Sequence, residues 1–381
     1  MKAIINGRLI LENEILEKKA IVFDEKIIHI GENEDIKNYE LEEIIDAKNA
    51  YVCPGFIDIH IHGSGGRDTM EGSIEALEVI SRTILKNGVT SFLPTTMTME
   101  IPKIRKAMDS ISKAMKMDLK GARILGAHME GPFINSIFKG AQNPQYIIEP
   151  DYSLIEGYED VIKIITLAPE VDKEFEFIKK LKKETDITIS MGHTNTDFKT
   201  ARKAIESGIS HATHLFNAMT GLHHREPGAV GAIFSTDITT EFIADKIHIN
   251  PDLFPLLLKI KGSDQMVFIT DSMSAGCMKE GIYDLGGQEV VVDKTSARLK
   301  DGTLAGSILK FNEALKNMKE NSTLNILELV KMATIVPAKV IKMENEVGSL
   351  EVGKKSDIIF IDENFGVERT IVEGQVLYIK K

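Results

Sequence analysis

Hydrophobic and polar positions follow two different patterns along the chain. In residues 1–50 and again near the end, short apolar stretches alternate with turn residues, as in Ala3-Ile4-Ile5 followed by Asn6-Gly7. This pattern is typical of small antiparallel strands. Strands of this kind need partners, so the sequence predicts that residues 1–50 and 346–381 pair with each other in one small β-sandwich domain.

Between the two ends, apolar runs alternate with segments of helical period, which indicates a parallel α/β sheet. Eight candidate strands lie at residues 51–60, 90–95, 123–130, 161–168, 186–192, 209–214, 241–247 and 265–271. Amphipathic segments lie at residues 73–87, 101–116, 172–184, 197–207, 251–260 and 307–318. Eight strands fit a (β/α)8 TIM barrel, which typically takes about 250 residues. We therefore predict a barrel domain over residues 51–345, with an inserted hairpin at 277–306; an open doubly wound sheet is the alternative.

Composition argues against two classes of partner. The chain has 46 Lys plus Arg against 57 Asp plus Glu, a formal charge of -11, and no basic run, which disfavours a surface for nucleic acid or anionic membrane. The two cysteines, Cys53 and Cys277, cannot form a disulfide framework, so a reducing compartment is expected. No run of eighteen apolar residues occurs. We expect a soluble cytoplasmic protein.

The end of the first predicted barrel strand is the clearest candidate for chemistry. It consists of Asp58-Ile59-His60-Ile61-His62, and alternate residues of a strand point to the same face, so two imidazoles stand side by side. Most of the ten histidines lie at the ends of this and other predicted strands. Because the active site of a barrel forms at the carboxyl ends of its strands, we expect these side chains to meet.

Imidazole nitrogens and carboxylate oxygens are the ligands of a catalytic zinc or a similar divalent ion. Glu130, His193 and His214, which follow the third, fifth and sixth strands, provide three protein ligands. His60 and His62 could hold a second ion, with Glu130 as the bridge between the two. We therefore expect one or two divalent ions, zinc first and iron, cobalt or manganese as alternatives.

Other polar residues at the strand ends leave more than one interpretation open. Asp271 closes the eighth strand, where a carboxylate can take a proton from an activated water and return it to a leaving group; a helix N-cap or an extra metal ligand is the alternative. His128 shares the parity of Glu130 and either orients a ligand or is structural. His211 is predicted to be structural. Asp58 either supports the histidine pair or is a buried hydrogen-bonding group.

Taken together, these motifs resemble the amidohydrolase superfamily. The superfamily pattern comprises Pro54-Gly55-Phe56-Ile57-Asp58-Ile59-His60-Ile61-His62-Gly63, the Asp that ends strand eight, and a tail at residues 336–339 and 347–358. Within the superfamily the chain is similar to the N-acetylglucosamine-6-phosphate deacetylases. That similarity lies in residues 128–135, 139–144, 192–195, 212–219, 224–228 and 301–307. It spans nearly the whole chain in the expected order.

The resemblance implies a metal-dependent hydrolase of amino-sugar metabolism, which converts N-acetylglucosamine-6-phosphate to glucosamine-6-phosphate and acetate. It implies the five metal ligands named above and Asp271 as the catalytic acid/base. The residues it implies for the substrate pocket are Ala141, Gln142, Asn217, Ala218 (through its backbone), Arg225, His248 and Leu304. Some relatives carry His at the position of Gln142. The family also implies a homodimer in which Arg225, with His223 or His224, contributes across the interface.

Physical reasoning about Arg225 agrees with that implication, and two rival functions stay open. A guanidinium offers a planar fork of donors that matches phosphate oxygens, although a surface ion pair with Glu226 is the alternative. One rival is another amide hydrolase of the superfamily, a dihydropyrimidinase or an N-acyl-amino-acid deacylase, whose usual bridging carboxylated lysine is replaced here by Glu130. The other is a non-catalytic barrel scaffold, although such proteins usually lose metal ligands and this chain keeps them. The hairpin at 277–306 either covers the substrate or is a passive edge.

Overall fold

The computed structural model describes residues 1–381 and contains 22 strands. The first group is β1 (Lys2–Ile10), β2 (Ile15–Phe23), β3 (Ile27–Glu32), β4 (Glu43–Asp46) and β5 (Tyr51–Pro54). The central group is β6 (Phe56–Ile61), β7 (Gly63–Ser64), β8 (Arg67–Asp68), β9 (Val89–Thr96), β10 (Arg123–Ile124), β11 (Ala127–Glu130), β12 (Ile162–Leu167), β13 (Thr188–Met191), β14 (His211–Ala212), β15 (Thr239–Ile243) and β16 (Met266–Ile269). The last strands are β17 (Gly281–Leu285), β18 (Gln288–Val292), β19 (Ala297–Leu299), β20 (Ile358–Ile361), β21 (Val367–Val372) and β22 (Gln375–Ile379).

Most of the helices lie between the central strands. They are α1 (Ile74–Ile84), α2 (Ile101–Ala114), α3 (Glu176–Glu184), α4 (Phe198–Ser207), α5 (Gly228–Phe234), α6 (Phe254–Lys261), α7 (Phe311–Glu320), α8 (Ile326–Ala333) and α9 (Ile335–Val340). Three of them, α5, α8 and α9, lie outside the predicted helical segments. Nearly every residue of α5 and α9 is buried, so neither shows the polar face that a helical period requires. None of the helices combines the length and apolar character needed to span a bilayer.

Both ends of the chain build one eight-stranded sheet, in the order β22-β21-β20-β5-β1-β2-β3, with β4 paired to β1. β20 joins the two ends, since it runs antiparallel to β5 and places Ile358 opposite Pro54. The sheet has its own core of 12 buried apolar residues, separate from the 87 in the larger core. The predicted β-sandwich of the two chain ends is confirmed, and its division from the barrel at residues 50 and 346 stays a prediction.

The barrel is formed by β6, β9 and β11 to β16, all paired in parallel, with β10 as an extra short strand beside β9. The barrel closes where the first strand, β6, meets the last, β16, through hydrogen bonds made at and just beyond their carboxyl ends. The backbone N–H of Asp271 donates to the carbonyl of His60 at 2.9 Å, and that of His62 donates to the carbonyl of Ser272 at 2.9 Å. The predicted (β/α)8 barrel is confirmed, and the open doubly wound sheet is wrong. The closing hydrogen bonds also fix two candidate ligands beside Asp271.

The first predicted barrel strand, at residues 51–60, is two strands. Residues 51–54 form β5 of the end sheet, and the barrel strand β6 begins at Phe56. Gly55 lies between them, and a Cβ added there would overlap the side chain of Thr90. Because nearly every residue on both sides of Gly55 is buried, the apolar run shows no break at which the chain changes sheets.

The segment predicted as an inserted hairpin is a three-stranded antiparallel sheet. It consists of β17, β18 and β19, with Gly281 opposite Val292 and Val292 opposite Ala297. Gly286 and Gly287 form the turn between the first two strands, both at positive φ. This sheet follows the eighth barrel strand and reaches back over the carboxyl ends of the barrel, where its residue Leu285 meets the central cavity.

Candidate active site

A cavity of about 240 Å³ opens at the carboxyl ends of the barrel strands. All the predicted site residues except His60 and Arg225 line it: His62, Glu130, Ala141, Gln142, His193, His214, Asn217, Ala218, His248, Asp271 and Leu304. His60 is fully buried directly beneath this wall, where its ring lies beside that of His62. Residues from six different strand ends therefore converge on one site.

Glu130, His193 and His214 form the first group of candidate ligands. One oxygen of Glu130, Oε1, lies 3.1 Å from Nε2 of His193 and 3.1 Å from Nε2 of His214, and the two Nε2 atoms are 3.2 Å apart. The other ring nitrogens, both Nδ1, donate to the carbonyls of Phe138 at 3.0 Å and Asn217 at 3.1 Å. A carbonyl only accepts, so in neutral rings the protons are on Nδ1 and the Nε2 lone pairs face the carboxylate. Three converging acceptors fit a cation.

His60 and His62 repeat this arrangement on the other side of Glu130. Nδ1 of His60 donates to Oε2 of Glu241 at 2.8 Å, and Nδ1 of His62 donates to the carbonyl of Thr95 at 3.3 Å. Their Nε2 atoms lie 3.4 Å apart, at 3.5 and 3.3 Å from the two oxygens of Glu130. Oε1 of Glu130 thus faces His60, His193 and His214, whereas its Oε2 faces His62. His60, His62 and Glu130 thus form a second group whose nitrogen and oxygen donors would suit a divalent ion.

Charge within the buried site favours an ionised Glu130. Burial alone raises the pKa of Glu130, but the positive charges that His60 and His193 carry when protonated outweigh it and hold that pKa well below its ordinary value. Conversely, burial lowers the pKa of His60, and the negative charges of Glu241, Glu130 and Asp271 outweigh burial and raise it to about 9. The carboxylates therefore make this cluster a favourable place for positive charge.

Asp271 lies beside His60 of β6 and His62, the residue that follows this strand. Its Oδ1 is 3.3 Å from Nε2 of His62 and 3.5 Å from Nε2 of His60. Burial raises its pKa, but these two imidazoles outweigh burial and lower the pKa below the ordinary value, so Asp271 is ionised at neutral pH. It does not cap a helix, because the next α-helix begins only at Phe311. This geometry suits a proton acceptor beside the candidate ligands.

The backbone is left-handed at three residues of the site. His193 has φ 48°, His214 has φ 30° and Asp271 has φ 47°, each just after a barrel strand ends. A non-glycine residue in this region costs about 1–3 kcal/mol and persists only where the surrounding structure enforces it. The strained backbone therefore occurs at the three residues whose side chains line the same cavity.

Glu241, on β15, is a site residue that the sequence prediction missed. It is fully buried, and in addition to the His60 contact its Oε2 accepts from the backbone N–H of His214 at 3.0 Å. One carboxylate oxygen thereby connects a ligand of each candidate metal position. A signal was available, because a lone carboxylate within an apolar strand requires a buried partner. In the sequence prediction the strand starts at Glu241, which places this carboxylate at a strand end, whereas the strand begins at Thr239.

We expect Glu241→Gln to weaken metal binding by roughly 10- to 100-fold, the usual effect of losing a group that orients a ligand histidine. Competition with a chromogenic chelator would measure this affinity directly. Asp58→Asn is the matched control, since Asp58 is equally buried and contacts the backbone N–H of His60 but no imidazole ring. An equal loss of affinity in both variants would contradict the orienting role of Glu241.

Three other polar residues from the strand ends have structural partners. Asp58 accepts from Oγ1 of Thr270 at 2.6 Å, and burial raises its pKa to about 7. His128 contacts the carbonyl of Ile59 and Oγ1 of Thr166 with its two ring nitrogens, so neither nitrogen is free for a metal. His211 contacts Oγ1 of Thr239 at 2.7 Å. Asp58 is therefore a buried hydrogen-bonding group, and His128 and His211 are structural.

Gln142 is held rigidly against the ligand group. Its Nε2 donates to Oε2 of Glu130 at 2.7 Å, and its Oε1 accepts from the backbone N–H of Thr98 at 2.8 Å. Both ends of the amide are thus engaged by the protein. Gln142 lines the cavity and also orients Glu130.

His248 provides a polar group on the opposite wall. Its Nδ1 contacts Oδ2 of Asp245 at 2.7 Å, which fixes the ring and leaves Nε2 without a hydrogen-bond partner in the protein. Asn217 and Ala218, which follow β14, line the same wall, and Ala218 is also left-handed, with φ 50°. This wall therefore presents an imidazole, an amide and backbone groups to a polar ligand.

Arg225 is the one predicted site residue that the structure does not bring near the cavity of its own chain. It lies in an exposed loop, where its Nη1 is 2.6 Å from Nε2 of His224. The ion pair with Glu226, which was the alternative, is not formed. The guanidinium is thus free of any carboxylate partner.

Known proteins resemble the chain over nearly its whole length. A sequence model of the Amidohydrolase family matches residues 51–377. The chain is 39% identical to an N-acetylglucosamine-6-phosphate deacetylase of Bacillus subtilis (strain 168), over 98% of this chain and 96% of the relative. It is 33% identical to an N-acetylgalactosamine-6-phosphate deacetylase of Escherichia coli O157:H7, over 85% and 87%. The crystal structure of N-acetylglucosamine-6-phosphate deacetylase from Pasteurella multocida superposes with a TM-score of 0.93, at 31% identity and full coverage of both chains.

Proposed function

Because the chain belongs to the amidohydrolase family, we propose that it hydrolyses N-acetylglucosamine-6-phosphate to glucosamine-6-phosphate and acetate. The observation that carries the proposal is the cluster of four imidazoles around Glu130, with the ionised Asp271 beside it. The relatives named as amino-sugar-phosphate deacetylases favour this substrate over the cyclic amides and acyl-amino acids of other amidohydrolases. The intact ligand set disfavours a non-catalytic scaffold.

The residues that would hold the metal are Glu130, His193, His214, His60 and His62, and zinc suits these nitrogen and oxygen donors. When bound, a zinc ion lowers the pKa of a water ligand to about 7, which makes hydroxide accessible at neutral pH. The Nδ1 contacts of the four rings keep their Nε2 atoms directed inward. We propose that the protein would hold two ions, with one pair of histidines and Glu130 available to each.

Asp271 moves the proton in the proposed reaction. Its ionised carboxylate accepts a proton from the attacking water as the oxygen adds to the acetamido carbonyl carbon. It then donates that proton to the amide nitrogen, the C–N bond breaks, and the amine and acetate separate. His248 faces the opposite side of the cavity, where its Nε2 can contact the substrate. The proton thus returns to the leaving group through one carboxylate.

No arginine or lysine lines the cavity of a single chain, although a guanidinium is the group that best matches phosphate oxygens. We propose that the protein is a homodimer in which Arg225 of one copy binds the phosphate in the cavity of the other. The exposed loop and the absence of a carboxylate partner support this. Asn217, the Ala218 backbone and His248 would hold the sugar phosphate from within the chain.

Acetate release tests the proposed function. N-Acetylglucosamine-6-phosphate and unphosphorylated N-acetylglucosamine would be compared at matched metal content. We expect fast release only from the phosphorylated sugar. If a metal-loaded protein releases acetate from neither sugar, the proposed substrate is wrong, and cyclic amides and acyl-amino acids become the next substrates to assay.

Arg225→Ala should raise KM for the phosphorylated sugar by about 10- to 100-fold with little change in kcat, because charge-assisted hydrogen bonds to phosphate contribute about 1.5–3 kcal/mol. Steady-state kinetics would measure both parameters. Arg202→Ala, which removes a partly exposed arginine that contacts only Ser235, is the matched control. An equal loss with the unphosphorylated sugar would contradict the phosphate role.

Mixed dimers distinguish the two placements of Arg225. Refolding Arg225→Ala chains together with Asp271→Asn chains should restore activity with a normal KM if Arg225 acts across the interface. In that case the cavity with an intact Asp271 receives an intact Arg225 from the other copy. No recovery above the separate variants would place Arg225 in its own chain's site.

A further inference from the structure

The cavity contains an apolar corner that the proposed mechanism does not use. Met97, just after β9, and Leu285, at the end of β17, both line it and are only 3% and 2% exposed. The inserted sheet and the segment after β9 are in contact at these two residues. A Cβ added at Gly286 would lie 3.4 Å from Cε of Met97. The inserted sheet therefore closes this corner of the cavity against the second barrel strand.

The apolar corner lies beside the candidate metal ligands. Thr95, two residues before Met97, accepts from Nδ1 of His62, and the backbone N–H of Thr98 donates to Gln142. Met97 thus lies between the residue that fixes His62 and the one that fixes Gln142. A group in the corner would sit next to the atoms where the amide carbonyl must react.

The corner also lies across the barrel from the polar wall. Met97 follows the second barrel strand, whereas Asn217 and Ala218 follow the sixth. In an eight-stranded barrel, strands four places apart face each other across the axis. Glu130, His62, His193 and His214 line the same cavity as these two walls.

The carbonyl carbon of an N-acyl substrate carries two groups, the nitrogen with its sugar and the acyl chain. If the sugar phosphate lies against Asn217 and His248, the acyl chain must leave the reacting carbon on the opposite side. We propose that Met97 and Leu285 form the acyl-binding pocket and restrict the enzyme to short acyl chains. This inference rests on the proposed deacetylase function.

The anchoring of the inserted sheet supports a pocket of fixed size. The side chain of Gln288, on β18, donates to the carbonyl of Ala141 on the cavity wall, and Oγ of Ser274 donates to the carbonyl of Asp284 at 3.2 Å. These bonds lie on both sides of Leu285 and hold it over the cavity. A longer acyl chain would have to displace either Met97 or this anchored sheet.

The test compares N-acetyl-, N-propionyl- and N-butyrylglucosamine-6-phosphate as substrates of the metal-loaded protein. One methylene in an apolar pocket changes kcat/KM by about 10- to 200-fold. We expect kcat/KM of the original protein to fall by at least about 10-fold from the acetyl to the propionyl substrate, and again from the propionyl to the butyryl substrate. Met97→Ala and Leu285→Ala should each raise the butyryl-to-acetyl ratio of kcat/KM by about 10-fold or more.

Matched variants separate a pocket from a general loss of activity. Met97→Leu conserves volume and should keep the preference, whereas Asn217→Ala on the polar wall should affect all three substrates equally. An unchanged butyryl-to-acetyl ratio in both alanine variants, at full metal content, would overturn the acyl pocket while the acetyl substrate still turns over. If the original protein hydrolyses none of the three, the proposed function fails, and the pocket fails with it.

Discussion

Asp271→Asn is expected to lower kcat by about 10²- to 10⁴-fold, the usual range for a general acid/base, while the protein retains its metal. Asparagine has nearly the shape of aspartate but cannot accept the proton of the attacking water. The lowered pKa of Asp271 means that the original carboxylate is fully ionised at neutral pH, so the substitution removes a base that is present in every molecule. Steady-state kinetics with N-acetylglucosamine-6-phosphate would measure the loss.

Metal analysis of the same preparations separates this loss from a loss of ligands. Asp271 lies 3.3 Å from His62, so a metal deficit would indicate a ligand rather than an acid/base. Asp284→Asn on the inserted sheet is a suitable control, since its side chain contacts only a backbone N–H within that sheet's own turn. Near-normal turnover of Asp271→Asn with full metal content would refute the assignment.

Glu130→Ala should remove most of the bound metal and reduce kcat/KM by more than the roughly 10- to 100-fold typical of residues that only support a ligand. Glu130 faces both histidine pairs at 3.1 to 3.5 Å, so its loss affects both candidate positions together. Metal content by mass spectrometry and thermal unfolding of the purified variant would be measured side by side.

The matched control for Glu130→Ala is Gln142→Ala. Gln142 contacts Oε2 of Glu130 and the backbone N–H of Thr98 but is not a candidate ligand, so we expect this variant to keep its metal with a smaller loss of activity. Retention of a full metal complement by Glu130→Ala would exclude the shared-carboxylate arrangement. A deficit limited to one ion would assign Glu130 to one position alone.

Periodicity sufficed for the barrel because its strands and amphipathic helices alternate regularly. It failed where burial hides the period: α5 and α9 are buried on nearly all sides, and the run through Gly55 crosses from one sheet to another without a polar break. Both failures have one physical origin, since a pattern of polar positions exists only where an element has a solvent face.

The candidate ligands were predictable because each ends a strand, and the strands of a barrel all end at one face. Met97 and Leu285 were not, since their importance depends on which side chains the closed barrel places opposite them, and the lone carboxylate of Glu241 indicated a buried partner without showing which one. Nothing in the local sequence around Leu285 shows that the inserted sheet folds back over the cavity. Arg225 was predicted from resemblance and charge, and its distance from its own cavity became visible only in three dimensions.

The pairing of β20 with β5 affects how the chain is made. A ribosome delivers β1 to β5 first and β20 only after the whole barrel has emerged, so the edge of β5 waits unpaired throughout synthesis. We expect the barrel to close during translation and the end sheet to complete only after the last residues are released. A messenger RNA truncated before the codon for Ile358 would yield a chain in which the edge of β5 stays unpaired. Chaperones and proteases can recognise such an open strand edge.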